Sequence, residues 1–129
     1  MEEYGGSAAN QADITGPIEQ RLVCKNWSAR ATAFEELANL FKNSNTPKDE
    51  VFFNHAPSWK KYIGDINPGS LEKCLDALTW FIDKADAKIV AGAQNDIIKT
   101  LIEKCMGHAK PTIKNKSTEC FNLIFEVTE

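Results

Sequence analysis

No stretch of this 129-residue chain approaches 18 uninterrupted apolar residues, so the sequence predicts no transmembrane helix, which needs about 20. The opening residues lack the basic and apolar segments of a secretory leader, and none is expected. The four cysteines, Cys24, Cys74, Cys105 and Cys120, form no C-x-x-C pair, and His55 and His108 stand apart from one another. A zinc site is therefore not indicated. The cysteines sit among apolar residues and read as small core groups in a reducing compartment. There is no glycine-rich nucleotide loop, no G-x-S-x-G and no H-E-x-x-H. Cys105 and His108 stand three apart, but a buried thiol beside an exposed helix-end imidazole is the simpler account than a catalytic dyad. The reading is of a protein with no enzymatic activity, no cofactor and no metal. Strand-type alternation is missing as well, and the fold class that follows is all-α.

The charge is not spread evenly. Residues 1–16 carry Glu2, Glu3 and Asp13 with no Lys or Arg, and these three acids equal the whole net charge of −3. Residues 1–16, rich in Gly, Ala, Asn and Ser, read as a disordered acidic tail. Residues 17–129 are balanced, so no bulk attraction to nucleic acid or membrane is expected, and any charge-based recognition must use local patches.

Within 17–129 the apolar residues recur at helical spacing. Pro17 suits the first turn of a short helix ending near Asn26. Ser28 reads as the N-cap of a stronger helix with Ala31, Phe34, Leu37, Ala38 and Phe41 on one stripe. Residues 43–47 form a loop. One turn of helix precedes Pro57, and a second helix runs from there to Gly64. Asp65, Ile66 and Asn67 make a tight turn before a helix opened by Pro68, which stripes Leu71, Leu75, Leu78 and Ile82. Residues 83–88 read as a polar link. Ile89 to Gly107 and Pro111 onward give the last two helices. Trp59 and Trp80 lie inside apolar periodicity and are expected in the core.

The second helix of each pair starts alike, at Asn26-Trp27-Ser28, Ile66-Asn67-Pro68 and Ala109-Lys110-Pro111. A helix-pair period near 40 residues is the signature of HEAT or armadillo arrays. The expected architecture is an α-solenoid of about three HEAT-like helix pairs, each burying its apolar face against its neighbour. The last helix offers Phe121, Leu123, Ile124, Phe125 and Val127, too many apolar groups for one buried stripe. Either a further repeat covers this face or it binds something, and exposed it would favour self-association.

In a solenoid the turns inside the pairs align along one edge. The first turn here holds Lys25, Asn26, Trp27 and Arg30. The second holds Asp65, Ile66 and Asn67. The third holds His108, Lys110, Thr112 and Lys114, with Lys116 behind. Trp27 between a polar pair and a helix start reads equally as an exposed anchor or as a staple on its own helix. The lysines around Lys110 oppose their own helix dipole, which points to an acidic partner. An aromatic anchor at one end and a basic patch at the other suit a protein-binding ridge.

The stretch PIEQRLVCKNWSARATAFEELANLF resembles the opening of a TOG domain, the tubulin-binding HEAT array of microtubule polymerases. The shared pattern falls on Pro17, Glu19, Arg21, Lys25, Trp27, Arg30, Ala33, Phe34, Glu35 and Glu36. WKKYIGDINPGSLEKCLDAL is similar to that family's second-repeat segment, and the region of Lys110, Lys114 and Glu119 to its third. The resemblance implies binding of unpolymerised αβ-tubulin, mainly its β subunit, through the turn edge. Trp27 would pack on β-tubulin, with contacts from Asp65, Ile66 and Asn67 and from Lys110 and Lys114. It implies a place in the cytoplasm on the cytoskeleton: microtubules, spindle or centrosome. The family domain has six repeats, so residues 17–129 would be its N-terminal half. Ser28 stands where the family often has Lys, and Asp-Ile-Asn-Pro replaces Asp-Ser-Asn. The alternative is a HEAT-type scaffold for another protein partner.

Overall fold

The computed structural model describes residues 15–129, and helix is the only regular secondary structure among them. The helices are α1 (Ile18–Arg21), α2 (Trp27–Lys42), α3 (Glu50–His55), α4 (Trp59–Ile63), α5 (Pro68–Lys84), α6 (Ala87–Lys104) and α7 (Pro111–Thr128), with a 3-10 turn, Ala56–Ser58, joining α3 to α4. The expectation for residues 1–14 lies outside the described residues. Each break has a local cause. Asp49 and Asp86 cap α3 and α6 through their carboxylates. Asn26 and Asn67 do the same for α2 and α5 with their amide oxygens. Pro68 and Pro111 occupy first-turn positions where a missing N–H costs nothing.

The helices form two layers. α2, α5 and α7 stack side by side with α5 in the middle, and α3–α4 and α6 pack behind them. This is the expected all-α solenoid of helix pairs. Its densest point is an aromatic cluster. Phe41 stacks on Phe52 at 5.3 Å and meets Phe81 at 5.7 Å, while Trp59 lies 5.2 Å from Phe81. All four rings are fully buried. They come from α2, α3, α4 and α5, so one cluster ties the first two pairs together. His55 closes its edge, buried, with Nδ1 2.9 Å from the Tyr62 hydroxyl.

The repeat is also written in ion pairs. Glu35, nine residues past the α2 N-cap, pairs at 2.8 Å with Lys73, six residues past the α5 N-cap. Asp76, nine past the α5 N-cap, pairs with Lys116, six past the α7 N-cap. With the contacts nearer the N-caps, Arg30 to Asp65 and Lys110 to Glu72, the repeated offsets mean that α2, α5 and α7 run parallel and in register. Their N-termini therefore share one edge.

Several expectations are corrected. α2 begins at Trp27, not after Ser28, because Asn26 offers the better acceptor, taking N–H groups from both Ser28 and Ala29. The buried stripe of α2 includes Ala29 and Ala33, whereas Ala31 and Ala38 are half-buried. The polar link shrinks to Ala85 and Asp86, and α6 stops at Lys104. Trp80 is half-buried at the surface, where the ammonium groups of Lys42 and Lys84 lie over its ring at 5.6 and 6.0 Å. Trp59 is in the core, and of the cysteines Cys74, Cys105 and Cys120 are buried while Cys24 is half-buried.

Burial holds the His55 pKa below its usual 6.5. The unfolded chain therefore takes up the proton first, and stability present above about pH 6.5 is lost as pH falls toward the folded-state value. Urea midpoints measured between pH 7.5 and 5 are expected to decline, and His55→Phe should flatten that slope. Phe41→Ala should lower stability by about 3–5 kcal/mol in the same assay.

Candidate binding edge

Three turns lie along the shared N-terminal edge: residues 22–26 before α2, 64–67 before α5, and 105–110 before α7. The first two are locked together. The Arg30 guanidinium donates from Nε to Asp65 Oδ2 at 2.8 Å and from Nη2 to Oδ1 at 3.0 Å. Its Nη1 donates to the carbonyls of Cys24 and Lys25 at 2.8 and 3.0 Å. Asp65 also accepts from the Asn67 N–H and from the Ser70 hydroxyl. Only 3% of the Asp65 side chain and 16% of the Arg30 side chain are exposed. Fork geometry of this kind suits a partly buried ion pair because four guanidinium N–H groups and both carboxylate oxygens find partners.

The residues expected on this edge thus divide by their surroundings. Asn26, Arg30, Asp65 and Asn67 hold the turns, since each spends its polar atoms on capping or on the cross-turn pair. Lys25 and Thr112 are exposed, as is Lys114, while Ile66 is 93% exposed at the tip of the second turn. Lys110 reaches back to Glu72, tying turn 3 to the N-terminal part of α5. That ammonium, by its hydrogen bond first, holds the Glu72 carboxyl below its ordinary range.

Trp27 is half-buried. It neither stands free nor merely staples its own helix. Its ring lies on the first turn of α5, where a Cβ added to Gly69 would sit 3.3 Å from Cζ3. Glycine is what lets the indole lie this close. The sequence reading missed Gly69 as this platform, and also Val23 and Lys61, which line a cleft beside Trp27. A glycine inside the first turn of a well-formed helix was the available signal for Gly69. Nothing in the sequence marked the other two, because they come from segments that only folding brings together. Cys105 is buried and its thiol is pushed up to about 11 by burial, which keeps it unreactive. His108 Nδ1 accepts the Lys110 N–H at 3.0 Å, which makes the imidazole a cap for the third turn. Among the described residues no group of three or more His, Cys, Asp or Glu is placed to hold a metal ion.

A layer of parallel helices with its turns gathered into one side-chain-bearing edge defines an α-solenoid of stacked helix pairs. The family model described as XMAP215/Dis1/CLASP, TOG domain, matches residues 14–129, and the chain belongs to that family. It is 37% identical over 112 residues to Centrosomal protein 224 of Dictyostelium discoideum, covering 87% of this chain and 6% of that protein. It is 27% identical over 111 residues to Protein mini spindles of Drosophila melanogaster, covering 86% of this chain and 5% of that protein. The chain therefore spans a small fraction of the length of these curated relatives. A solved structure concerned with tubulin recruitment and assembly by microtubule polymerases with tumor overexpressed gene (TOG) domain arrays superposes with a TM-score of 0.76 and 27% identity, covering 84% of this chain and 23% of the other.

Arg30→Met and Asp65→Asn should each lower stability by about 3–5 kcal/mol in urea or thermal unfolding, since each strands a largely buried partner. Lys25→Ala and Lys114→Ala should stay within about 0.5 kcal/mol of the parent.

Proposed function

We propose that this chain is a tubulin-binding module without catalytic activity, which takes unpolymerised αβ-tubulin, chiefly through the β subunit, along the N-terminal edge of α2, α5 and α7. The observation that carries this is the composition of that edge within the TOG-family match: Trp27, Ile66, Lys110, Thr112 and Lys114 lie on successive turns of one register. Trp27 and Ile66 supply apolar contact. Lys25, Lys110 and Lys114 steer toward an acidic surface and add modest affinity. Asn26, Arg30, Asp65 and Asn67 act by holding the turns in place, so that little ordering is left to be done on binding. The working place that follows is the microtubule cytoskeleton, at spindle or centrosome.

The outer face of α7 supports the reading of residues 17–129 as the N-terminal half of a longer array. Position fifteen after the N-cap is Phe41 in α2 and Ile82 in α5, both fully buried or nearly so, whereas its counterpart in α7, Phe125, is 43% exposed. Phe121 joins it at 5.0 Å. Glu119 stands nine residues past the α7 N-cap, where Glu35 and Asp76 carry their ion pairs in the earlier repeats. A further helix pair in register would cover this apolar face and bring its own cation to Glu119. Without it the face favours self-association.

An amide NMR titration of the labelled chain with unpolymerised tubulin tests the main reading. Signals of Lys25–Arg30, Asp65–Gly69 and Lys110–Lys116 should broaden selectively, and Trp27→Ala should abolish the effect. Failure of both this chain and one extended by further repeats to bind tubulin would overturn the reading.

A further inference from the structure

Beside Trp27, between the first and second turns, lies a cleft of about 590 Å³. That is within the ~300–1,000 Å³ typical of sites that bury a small ligand. Its buried lining is apolar, with Phe34 and Tyr62 meeting edge to face at 5.5 Å. Its outer lining adds Val23, 44% exposed, and the protruding Ile66. Two cations, Lys25 and Lys61, stand exposed in the same lining, and among the described residues neither forms an ion pair. The one acid in the lining, Asp65, is consumed by Arg30. The cleft therefore combines apolar walls with two ammonium groups that lack a counter-charge. A bare phosphate would leave the walls unused, and a wholly apolar group would leave the ammonium groups unused.

We propose that this cleft receives one aliphatic or aromatic side chain from an acidic segment of the partner, with the adjoining carboxylate held between Lys25 and Lys61. The assignment rests on the tubulin-binding reading of the edge and deepens it. The edge becomes a receptor as well as a ridge, and Val23 and Lys61 become specificity-determining residues. The Arg30–Asp65 pair keeps the cleft open by fixing the separation of the two turns.

The probe for the site alone is 4-phenylbutanoate, an aromatic ring on a short carboxylate chain. Added to the labelled chain, it should shift amide signals of the cleft lining saturably, with a Kd on the order of millimolar, as expected of so small a ligand. Val23→Trp, which fills the mouth, should remove the shifts, and Lys61→Glu, a surface change that leaves the fold intact, should weaken them at least about threefold. Against tubulin, both variants should lose affinity, Val23→Trp by about tenfold or more. No saturable shifts from the probe, together with unaltered tubulin affinity in both variants while Trp27→Ala still abolishes it, would overturn the cleft and leave the edge reading standing. Probe binding without any tubulin binding by the parent chain or a longer one would overturn the edge reading, and with it the assignment of the cleft to that partner.

Discussion

The edge of this protein depends on one ion pair. Arg30 is in the first turn of α2, and four of its donors reach two backbone carbonyls just before that helix and both carboxylate oxygens of Asp65 in the next turn. Asp65 in turn holds the N–H of Asn67 and the hydroxyl of Ser70, at the start of α5. A single cluster thus sets where two helices begin and how far apart their starting turns stand. A solenoid has no long-range scaffold, since each repeat touches only its neighbours. The alignment of its recognition side chains can come only from contacts of this sort. A largely buried pair is seldom a net gain over apolar packing, but it restricts geometry in a way apolar contact does not. Restriction is what a binding edge requires.

The same logic extends along the array. The Glu35–Lys73 and Asp76–Lys116 pairs repeat at identical offsets from their N-caps, and Lys110 adds a third bridge to Glu72. Each exposed surface pair is worth little by itself. Their value lies in register: parallel helices could otherwise slide by a turn, and a charge pattern of fixed offset disfavours the slipped arrangements. The aromatic cluster beneath supplies the cohesion, and the ion pairs supply the alignment. At α7 the apolar positions and the acid of the repeat are present without a covering helix among the described residues.

Division of labour follows. Polar residues on the edge that have found partners inside the chain hold the turns, and those left exposed, with Trp27 on its glycine platform, are the ones the proposed function assigns to contact. That sorting makes an edge whose shape is set before any partner arrives. It also explains why residues of similar type, such as Lys25 and Lys110, differ in circumstance: Lys110 is tied to Glu72, whereas Lys25 borders an apolar cleft.

Much was legible without coordinates. Apolar spacing of three and four residues dictates helices, Pro68 and Pro111 mark where two of them start, and the recurrence near 40 residues makes a solenoid, because each of these signals is local or periodic. The K-x-W-x-x-R opening placed the chain in its family for the same reason. What only the tertiary structure decided was which of those residues meet. Asn26 capped α2 in place of Ser28, whose own N–H and hydroxyl both donate to the Asn26 amide oxygen. Trp80 stayed half-buried at the margin of the core, with Lys42 from the end of α2 and Lys84 from its own helix over its ring. Arg30 and Asp65, 35 residues apart, turned from separate contact candidates into one clamp. Val23 and Lys61, 38 positions apart in the sequence, come to line one cleft only in the folded chain. Spacing along the chain determines the faces of helices, but contact between distant turns depends on how those faces stack, and stacking is a property of the whole array.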